Sequence, residues 1–312
     1  MAAETDIFRY TFTNLEGRDI PRDATHVSVH PSVTVIPAFA FNYHFNIVEL
    51  ICHDGVIKIE VEAFYRCPSL RRVVMLGVED VERKAFTCCF ALEHVECAKL
   101  ERIGFHAFAN CNNLSGINLP SAKIVDKGAF WGCPALKYAK FGQKLESISR
   151  EAFYKCDSLE RLTIPLKNDL ITDNDALQGC VNLNQVDLIA GVLEGTIGAL
   201  LFDEWKNDVY EAIGSINQIL HNAYAGGEER GDTGEKAALI REYIDVVMSK
   251  IVHYEAEHLR LLNKAVSALQ QDLPHDILMN NVVPFLKLPY HVSEDTDEET
   301  EGNNDSARYS VI

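Results

Sequence analysis

Apolar residues recur along the first half of the chain as Ala-Phe pairs at an interval of 22 or 23 residues. A cysteine stands three residues after the phenylalanine in all but the first pair, where His44 takes its place. The pairs are Ala40-Phe41, Ala63-Phe64, Ala85-Phe86, Ala107-Phe108, Ala129-Phe130 and Ala152-Phe153, and a seventh copy reads Ala176-Leu177. Because a unit this short cannot bury its own apolar face, the period predicts a solenoid in which successive units stack on one another.

Within each unit, the residues after the cysteine alternate between apolar and polar, which predicts a short strand. The residues predicted to point inward in three successive units are Leu70, Val73 and Met75, then Leu92, Val95 and Cys97, then Leu114, Ile117 and Leu119. The Ala-Phe segment lacks the spacing of a strand. Since alanine permits close backbone approach and phenylalanine supplies the largest buried area, we predict a short helix there, on the convex side.

Residues 148–165 show the full frame, Ile-xxx-Ala-Phe-xx-Cys-xx-Leu-xx-Leu-x-Ile-Pro. This frame resembles the leucine-rich repeats of the BspA type, and the resemblance covers residues 33–190. It implies an α/β fold, a right-handed solenoid of about seven repeats with strands on the concave face and short helices on the convex face. It implies no activity, because relatives include bacterial and protist surface proteins as well as intracellular eukaryotic proteins. We expect an intracellular, eukaryotic-like member.

The segment before the repeats, residues 1–32, is expected to form an N-terminal cap over the first turn. Val27, Val29, Val33 and Val35 alternate with other residues there, as in an edge strand of a sheet.

The period ends after Leu188, and residues 191–291 show helical spacing instead. One apolar stripe runs from Leu201 to Leu220, and a second predicts a helix over residues 235–273. These two helices are expected to form an all-α hairpin domain, and Pro274 begins a third helix. The hairpin either caps the open end of the solenoid or forms a homodimer through the long helix. The acidic tail, residues 292–312, is expected to be disordered.

The chain carries a formal net charge of −17, most of it in the C-terminal part. Such a charge repels nucleic acid and anionic membranes, so we expect neither as a partner. The first residues lack the basic and apolar regions of a signal peptide, and the nine cysteines are odd in number. We therefore expect a cytoplasmic protein with reduced thiols, six of which pack inside the stack.

The strand residues between the inward-pointing ones form two columns on the concave face. The first column is Glu49, Arg72, His94, Gly116, Tyr138, Arg161 and Gln185, and the second is Ile51, Val74, Glu96, Asn118, Lys140, Thr163 and Asp187. Arginine and tyrosine are favoured at the energetic centres of protein interfaces. The columns predict a surface that binds a protein partner of acidic or mixed charge. The alternative is a solvated face with no special partner.

Catalytic, metal and cofactor sites are not expected. His94 and Cys97 lie three apart in a strand and face opposite sides, so they cannot share an ion easily. Cys88 and Cys89 are adjacent, but Cys89 occupies the core position of its repeat. His253 and Glu257 could meet on a helix face, whereas His258 lies on the apolar stripe. No motif of a hydrolase, nucleotide-binding or zinc enzyme is present.

The leading functional hypothesis is a non-enzymatic interaction scaffold that binds a partner on the concave face. One alternative comes from residues 273–286, which resemble the opening of an F-box and would make the protein a ubiquitin-ligase substrate adaptor. The same residues are also explained by an ordinary helix N-terminus, with Pro274 at the first helical position and Asp276 in the first turn. A second alternative is a surface adhesin, as some proteins with this repeat type are.

Overall fold

The computed structural model describes residues 7–13, 20–191, 193–224 and 235–269. These residues form fifteen strands, one short 3-10 helix and three α-helices. The strands are β1 (Arg9–Phe12), β2 (His26–Val29), β3 (Val35–Ile36), β4 (Glu49–Ile51), β5 (Lys58–Ile59), β6 (Arg72–Val74), β7 (Asp80–Val81), β8 (His94–Glu96), β9 (Arg102–Ile103), β10 (Gly116–Leu119), β11 (Ile124–Val125), β12 (Tyr138–Phe141), β13 (Ser147–Ile148), β14 (Arg161–Pro165) and β15 (Gln185–Ile189). The helices are the 3-10 helix Asn174–Leu177, α1 (Leu193–Gly198), α2 (Asp203–Tyr224) and α3 (Glu235–Leu269). Among the described residues, none of the helices combines the length and the apolar character that a membrane span requires.

The strands wind into a solenoid whose pairings are all parallel. One strand per turn enters the front sheets, which have the orders β1-β2-β4-β6-β8 and β10-β12-β14-β15. A second strand enters a six-stranded second sheet, β13-β11-β9-β7-β5-β3. The predicted solenoid of about seven repeats, followed by a helical region, is confirmed. The second sheet was missed, because strands of two residues are too short to show an alternating pattern.

The phenylalanines of the repeat form a continuous column through the core. Successive rings from Phe41 to Phe153 lie 4.8, 5.2, 5.2, 5.5 and 5.3 Å apart and nearly parallel. All six rings are fully buried. The predicted inward residues of the front strands are buried beside this column, except that Val95 is only partly covered. Offset stacking of this kind adds stability beyond the burial of area alone.

The Ala-Phe segments are not helices, and that prediction was wrong. Two residues in most of these segments have a left-handed backbone, as at Glu62 and Arg66 with φ of 54° and 56°. A right-handed helix cannot contain such residues in its interior. The backbone N–H groups bond to the next turn instead, as when Phe64 N–H donates to the Ala85 carbonyl at 2.8 Å. Only the last repeat forms a helical turn, the 3-10 helix Asn174–Leu177.

The repeated cysteines pack inside the stack, as predicted. Six of them, Cys67, Cys89, Cys111, Cys133, Cys156 and Cys180, are completely buried. Each thiol donates to the carbonyl of the phenylalanine in the preceding repeat, for example Cys111 Sγ to Phe86 O at 3.3 Å. The thiol therefore ties neighbouring turns together while filling the space of a small apolar residue.

The N-terminal segment extends the front sheet by two strands. Strand β1 pairs with β2, and β2 pairs with β4. Val27 and Val29 therefore lie in an interior strand, whereas Val35 belongs to the second sheet, so the predicted edge strand over these valines was wrong. The edge is β1, whose Phe12 covers the end of the core with an edge-to-face contact to Phe41 at 5.0 Å.

The helices cover the opposite end of the solenoid. Helix α2 packs on β15, where Asn217 Oδ1 accepts from the Val186 N–H at 2.7 Å. Helix α3 packs on the 3-10 helix, and the buried Lys236 donates to the carbonyl of Cys180 at 2.6 Å. The helical hairpin predicted from the two apolar stripes is present as α2 and α3. The short helix α1, which precedes the hairpin, was not predicted. Of the two roles considered for the hairpin, the structure shows the capping one.

The long helix α3 uses its apolar stripe within the chain. Ile240, Ile244, Val247 and Ile251 are buried against the solenoid and α2. Polar contacts also join the two long helices, since Tyr254 and Lys250 both bond to Asp208. A homodimer through α3 stays a prediction, and the exposed apolar side chains left for it on this helix include Val246 and Val252.

Several predictions concern residues outside the described ranges. They are the third helix from Pro274, the F-box-like segment at residues 273–286 and the acidic tail at residues 292–312.

Replacing Phe108 by alanine removes one ring from the middle of the column. We expect the free energy of unfolding to fall by about 3–5 kcal/mol, because two stacked neighbours lose their contact and a cavity is left. Phe90→Ala is the matched control, since Phe90 is 43% exposed and its loss is expected to change stability by no more than about 0.5 kcal/mol. Urea unfolding of both variants measures this, and equal effects would contradict a structural role for the column.

The buried His44 makes the first repeat sensitive to acid. Burial, followed by the charge of Arg22, lowers the pKa of His44 below 6.5. The unfolded chain therefore takes up the proton more readily, and stability is lost as the pH falls through about 6.5. His44→Cys restores the thiol of the other repeats and should reduce the fall in Tm between about pH 8 and about pH 5. An unchanged pH profile of Tm in this variant would show that His44 does not contribute.

Candidate functional site

The predicted columns lie on the outward surface of the front sheets, here called the front surface. Glu49, Arg72 and His94 are neighbours in register on adjacent strands. Gly116, Tyr138, Arg161 and Gln185 continue the same column on the second front sheet. The ladder is interrupted between β8 and β10, which belong to different sheets. The front surface therefore has an N-terminal part and a C-terminal part.

The N-terminal part is dominated by one ion-paired arginine. Arg72 donates to Glu49 Oε1 and to Glu96 Oε1, both at 2.8 Å. The hydrogen bond to Glu96, followed by that to Glu49, raises the pKa of Arg72 above its ordinary value. The three predicted side chains therefore satisfy one another, and exposed pairs of this kind add little to stability. His94 lies exposed beside them in the same column.

The C-terminal part forms a groove of about 870 Å³. The lining residues are Lys137, Tyr138, Lys140, Glu160, Arg161, Thr163, Asn184, Gln185, Asp187 and Ile189. Five of the ten predicted partner-binding residues are among them. The other five lie outside it, and Asn118 is exposed on the neighbouring strand β10.

The charges in the groove are partly neutralised by the chain itself. Arg161 donates from Nε to Asp187, which also accepts from Thr163 at 3.2 Å. Burial opposes the ionisation of Asp187, but the bonds from Arg161 and Thr163 outweigh it, and the pKa of Asp187 is lowered. Lys137 and Lys140 are exposed and have no ion-pair partner within the described ranges. The groove thus keeps two cations available for a ligand.

Tyr138 provides the aromatic surface of the groove. Its side chain is 49% exposed, and its ring lies across Gly116 on the neighbouring strand. A Cβ at Gly116 would stand 2.1 Å from Tyr138 Cε1, so only glycine leaves room for this orientation. Gly116 belongs to the predicted column but contributes no side chain, and its contribution is the position of Tyr138.

Four lining residues were missed by the column argument. Lys137, Glu160 and Asn184 stand immediately before the first residues of β12, β14 and β15, and Ile189 ends β15. Strict alternation assigns Lys137, Glu160 and Asn184 to the inner face, but the chain is still turning where a strand begins. Ile189 instead follows Asp187 by two residues, so it shares the outward face but lies beyond the two columns. Lys137, Glu160 and Asn184 recur one position before the first column, and this recurrence was a signal that could have revealed them.

The histidine, cysteine and glutamate residues considered as metal or catalytic groups do not come together in one site. Glu257 bonds to Arg260 Nε at 2.9 Å, and His258 is buried. Cys97 is buried beneath β8, whereas His94 on the same strand is exposed. Within the part of the chain that the structure describes, no group of three histidine, cysteine or acidic residues is placed to hold a metal ion.

Gly116→Ala is expected to displace the ring of Tyr138 without unfolding the protein. The added Cβ collides with the ring, which can rotate away, and alanine is favoured over glycine in a strand by up to about 1 kcal/mol. A crystal structure of the variant should show a different Tyr138 rotamer with little change in Tm. Gly214→Ala is the control, because nothing lies within 4 Å of its Cβ position. An unmoved Tyr138 would refute the role of Gly116.

Three solved structures that the comparison finds similar to this chain come from bacteria. A leucine-rich repeat protein from Bacteroides ovatus is 24% identical, with a TM-score of 0.42 over 47% of this chain and 42% of that one. The T. pallidum leucine-rich repeat protein is 21% identical, with a TM-score of 0.43 over 63% of this chain and 85% of that one. The pneumococcal vaccine antigen PcpA is 20% identical, with a TM-score of 0.41 over 57% and 54%. This chain thus spans less than half of the Bacteroides ovatus protein.

Comparison with curated proteins finds no match. A family model described as the BspA type leucine rich repeat region matches in six copies, over residues 7–137 and 79–207. These ranges include β1 to β15 and extend to the start of α2. Since they cover well over half of the 312 residues, the chain belongs to the BspA-type leucine-rich repeat family.

Proposed function

We propose that this protein is a non-enzymatic scaffold that binds a protein partner in the groove of the front surface. The single observation that carries the proposal is this groove, in which the exposed Tyr138 lies beside Lys137 and Lys140, two lysines without an ion-pair partner among the described residues. Repeat proteins of this family generally act as interaction or adhesin-type scaffolds. A stack of short strands provides fixed side-chain positions, which lowers the entropy lost on binding.

The chemistry of the groove favours a partner of mixed character. Tyr138 offers apolar area with a polar end, which suits the centre of an interface. Lys137 and Lys140 attract acidic groups, whereas Glu160 and Asp187 place negative charge on the same wall. A partner that fits therefore carries acidic side chains opposite the lysines and an apolar group against Tyr138.

Arg72 and Arg161 contribute less directly than their exposure suggests. Both are held by carboxylates of the chain, so a partner must compete with Glu49, Glu96 or Asp187 for them. Reversing the charge of Arg72 would place three carboxylates together and disturb the sheet. Substitutions at Tyr138 and Lys140 are therefore the sharper probes of the groove.

The test is affinity capture with the intact chain and with the double variant Tyr138→Ala and Lys140→Glu. A partner bound in the groove should lose affinity by about tenfold or more, the scale of a residue at an interface centre. Tyr210→Ala on α2 is the control, because Tyr210 is 47% exposed and Tyr138 is 49% exposed. The affinity is then measured with the purified partner.

Two results would count against the proposal. If every partner bound the double variant and the wild type equally, the groove would not be the binding site. If Tyr210→Ala weakened binding as much as the double variant did, the helical cap rather than the groove would be the receptor.

The adaptor hypothesis, the adhesin hypothesis and the cellular location can be tested with the same protein and its captured partners. Recovery of a ubiquitin-ligase adaptor with the chain, lost on substitution within residues 273–286, would support the adaptor hypothesis. Detection of the protein on intact cells would support the adhesin hypothesis. We propose a cytoplasmic location, and cell fractionation with an antibody against the chain would check it.

A further inference from the structure

Strand β1 leaves one side of its backbone unpaired among the described residues. The carbonyl of Phe8 accepts from the His26 N–H at 3.1 Å, and that of Phe12 accepts from the His30 N–H at 2.8 Å. In a parallel pair, alternate residues bond to the same neighbour. Phe8, Tyr10 and Phe12 therefore face β2, and the N–H and C=O groups of Arg9 and Thr11 point outward along the open edge.

The two edge strands of the front sheets, β15 and β1, differ in whether their outward backbone groups are hydrogen-bonded. At β15, the corresponding outward N–H of Val186 is bonded by Asn217 from α2. At β1, the edge groups of Arg9 and Thr11 have no such partner in the described ranges, and both side chains are exposed. Ile7 and Phe8 beside them are 63% and 40% exposed. A row of unpaired backbone groups flanked by apolar side chains is a template for another strand.

The sequence of this edge is complementary to itself. Around Tyr10 the residues read Phe8-Arg9-Tyr10-Thr11-Phe12, which is nearly the same in both directions. In an antiparallel arrangement centred on Tyr10, Arg9 stands opposite Thr11 of the other strand, so the two arginines do not face each other. The outward groups of Arg9 and Thr11 then meet as hydrogen-bonded pairs, and the exposed Phe8 lies opposite Phe12.

We propose that β1 is a dimerisation edge, on which a second copy of this chain adds its own β1 in antiparallel register centred on Tyr10. The pairing is isologous, as a twofold axis through Tyr10 requires. Two reciprocal pairs of backbone hydrogen bonds join the strands at Arg9 and Thr11. The sheets β1-β2-β4-β6-β8 of the two copies then become one continuous sheet. The ends covered by α2 and α3 face away from each other.

The test compares the oligomeric state of the full chain with that of two variants at Thr11. Proline at an edge position removes only an outward N–H and is tolerated within the sheet, whereas valine keeps that N–H. Light scattering should give twice the monomer mass of 35.0 kDa for the wild type and Thr11→Val. Thr11→Pro should weaken the dimer by about tenfold or more while the Tm of the monomer stays similar.

A cross-link tests the register independently of the proline variant. In the proposed pairing, the two Tyr10 Cα atoms oppose each other at about 4.5 Å, within reach of a disulfide. Tyr10→Cys should therefore form covalent dimers on mild oxidation, whereas Thr13→Cys, several residues off the axis, should not. The proposal is overturned by a wild type that stays monomeric over a wide range of concentration. It is equally overturned by a dimer that survives Thr11→Pro, or by cross-linking of Thr13→Cys alone.

Discussion

The fit between ring stacking and strand spacing sets the geometry of the whole molecule. Neighbouring strands lie about 4.8 Å apart in the hydrogen-bonding direction, and the phenylalanine rings repeat at 4.8 to 5.5 Å. One ring per turn can therefore stack without bending the sheets. Each turn must then have nearly the same length, and additional residues are accommodated only where the chain lies outside the stack. The front surface, its columns and the groove follow from that regularity.

Much of this architecture could be predicted from the sequence, because a feature repeated in most turns stands out from a single chain. The inward residues of the front strands and the buried thiols are examples. The Ala-Phe segments were predicted wrongly. Their sequence does not show that a backbone group such as the N–H of Phe64 bonds to a residue in the next repeat of the solenoid. Local spacing describes a segment by itself, whereas here the neighbouring turn decides its conformation.

The groove could be predicted only in part. The columns correctly identified which residues share the front surface, since register between repeats follows from their spacing. They could not show that Arg72 is held by Glu49 and Glu96, which lie 23 and 24 residues away and meet it only across strands. Nor could they show that the ring of Tyr138 lies over Gly116, because that depends on an absent side chain. Helical stripes likewise revealed α2 and α3, but not which end of the core they cover.

The reactivity of the buried thiols reports the local unfolding of the solenoid. Burial raises the pKa of the Cys67 thiol to about 12 and also raises that of Cys89, so neither reacts while its turn is closed. Each turn from the second to the last carries one buried thiol at the repeat position, and the third turn also contains Cys88 and the buried Cys97. The rate at which each thiol becomes reactive therefore reports the opening of its own turn. Fraying of the molecule from either end can be read repeat by repeat, without adding any label to the chain.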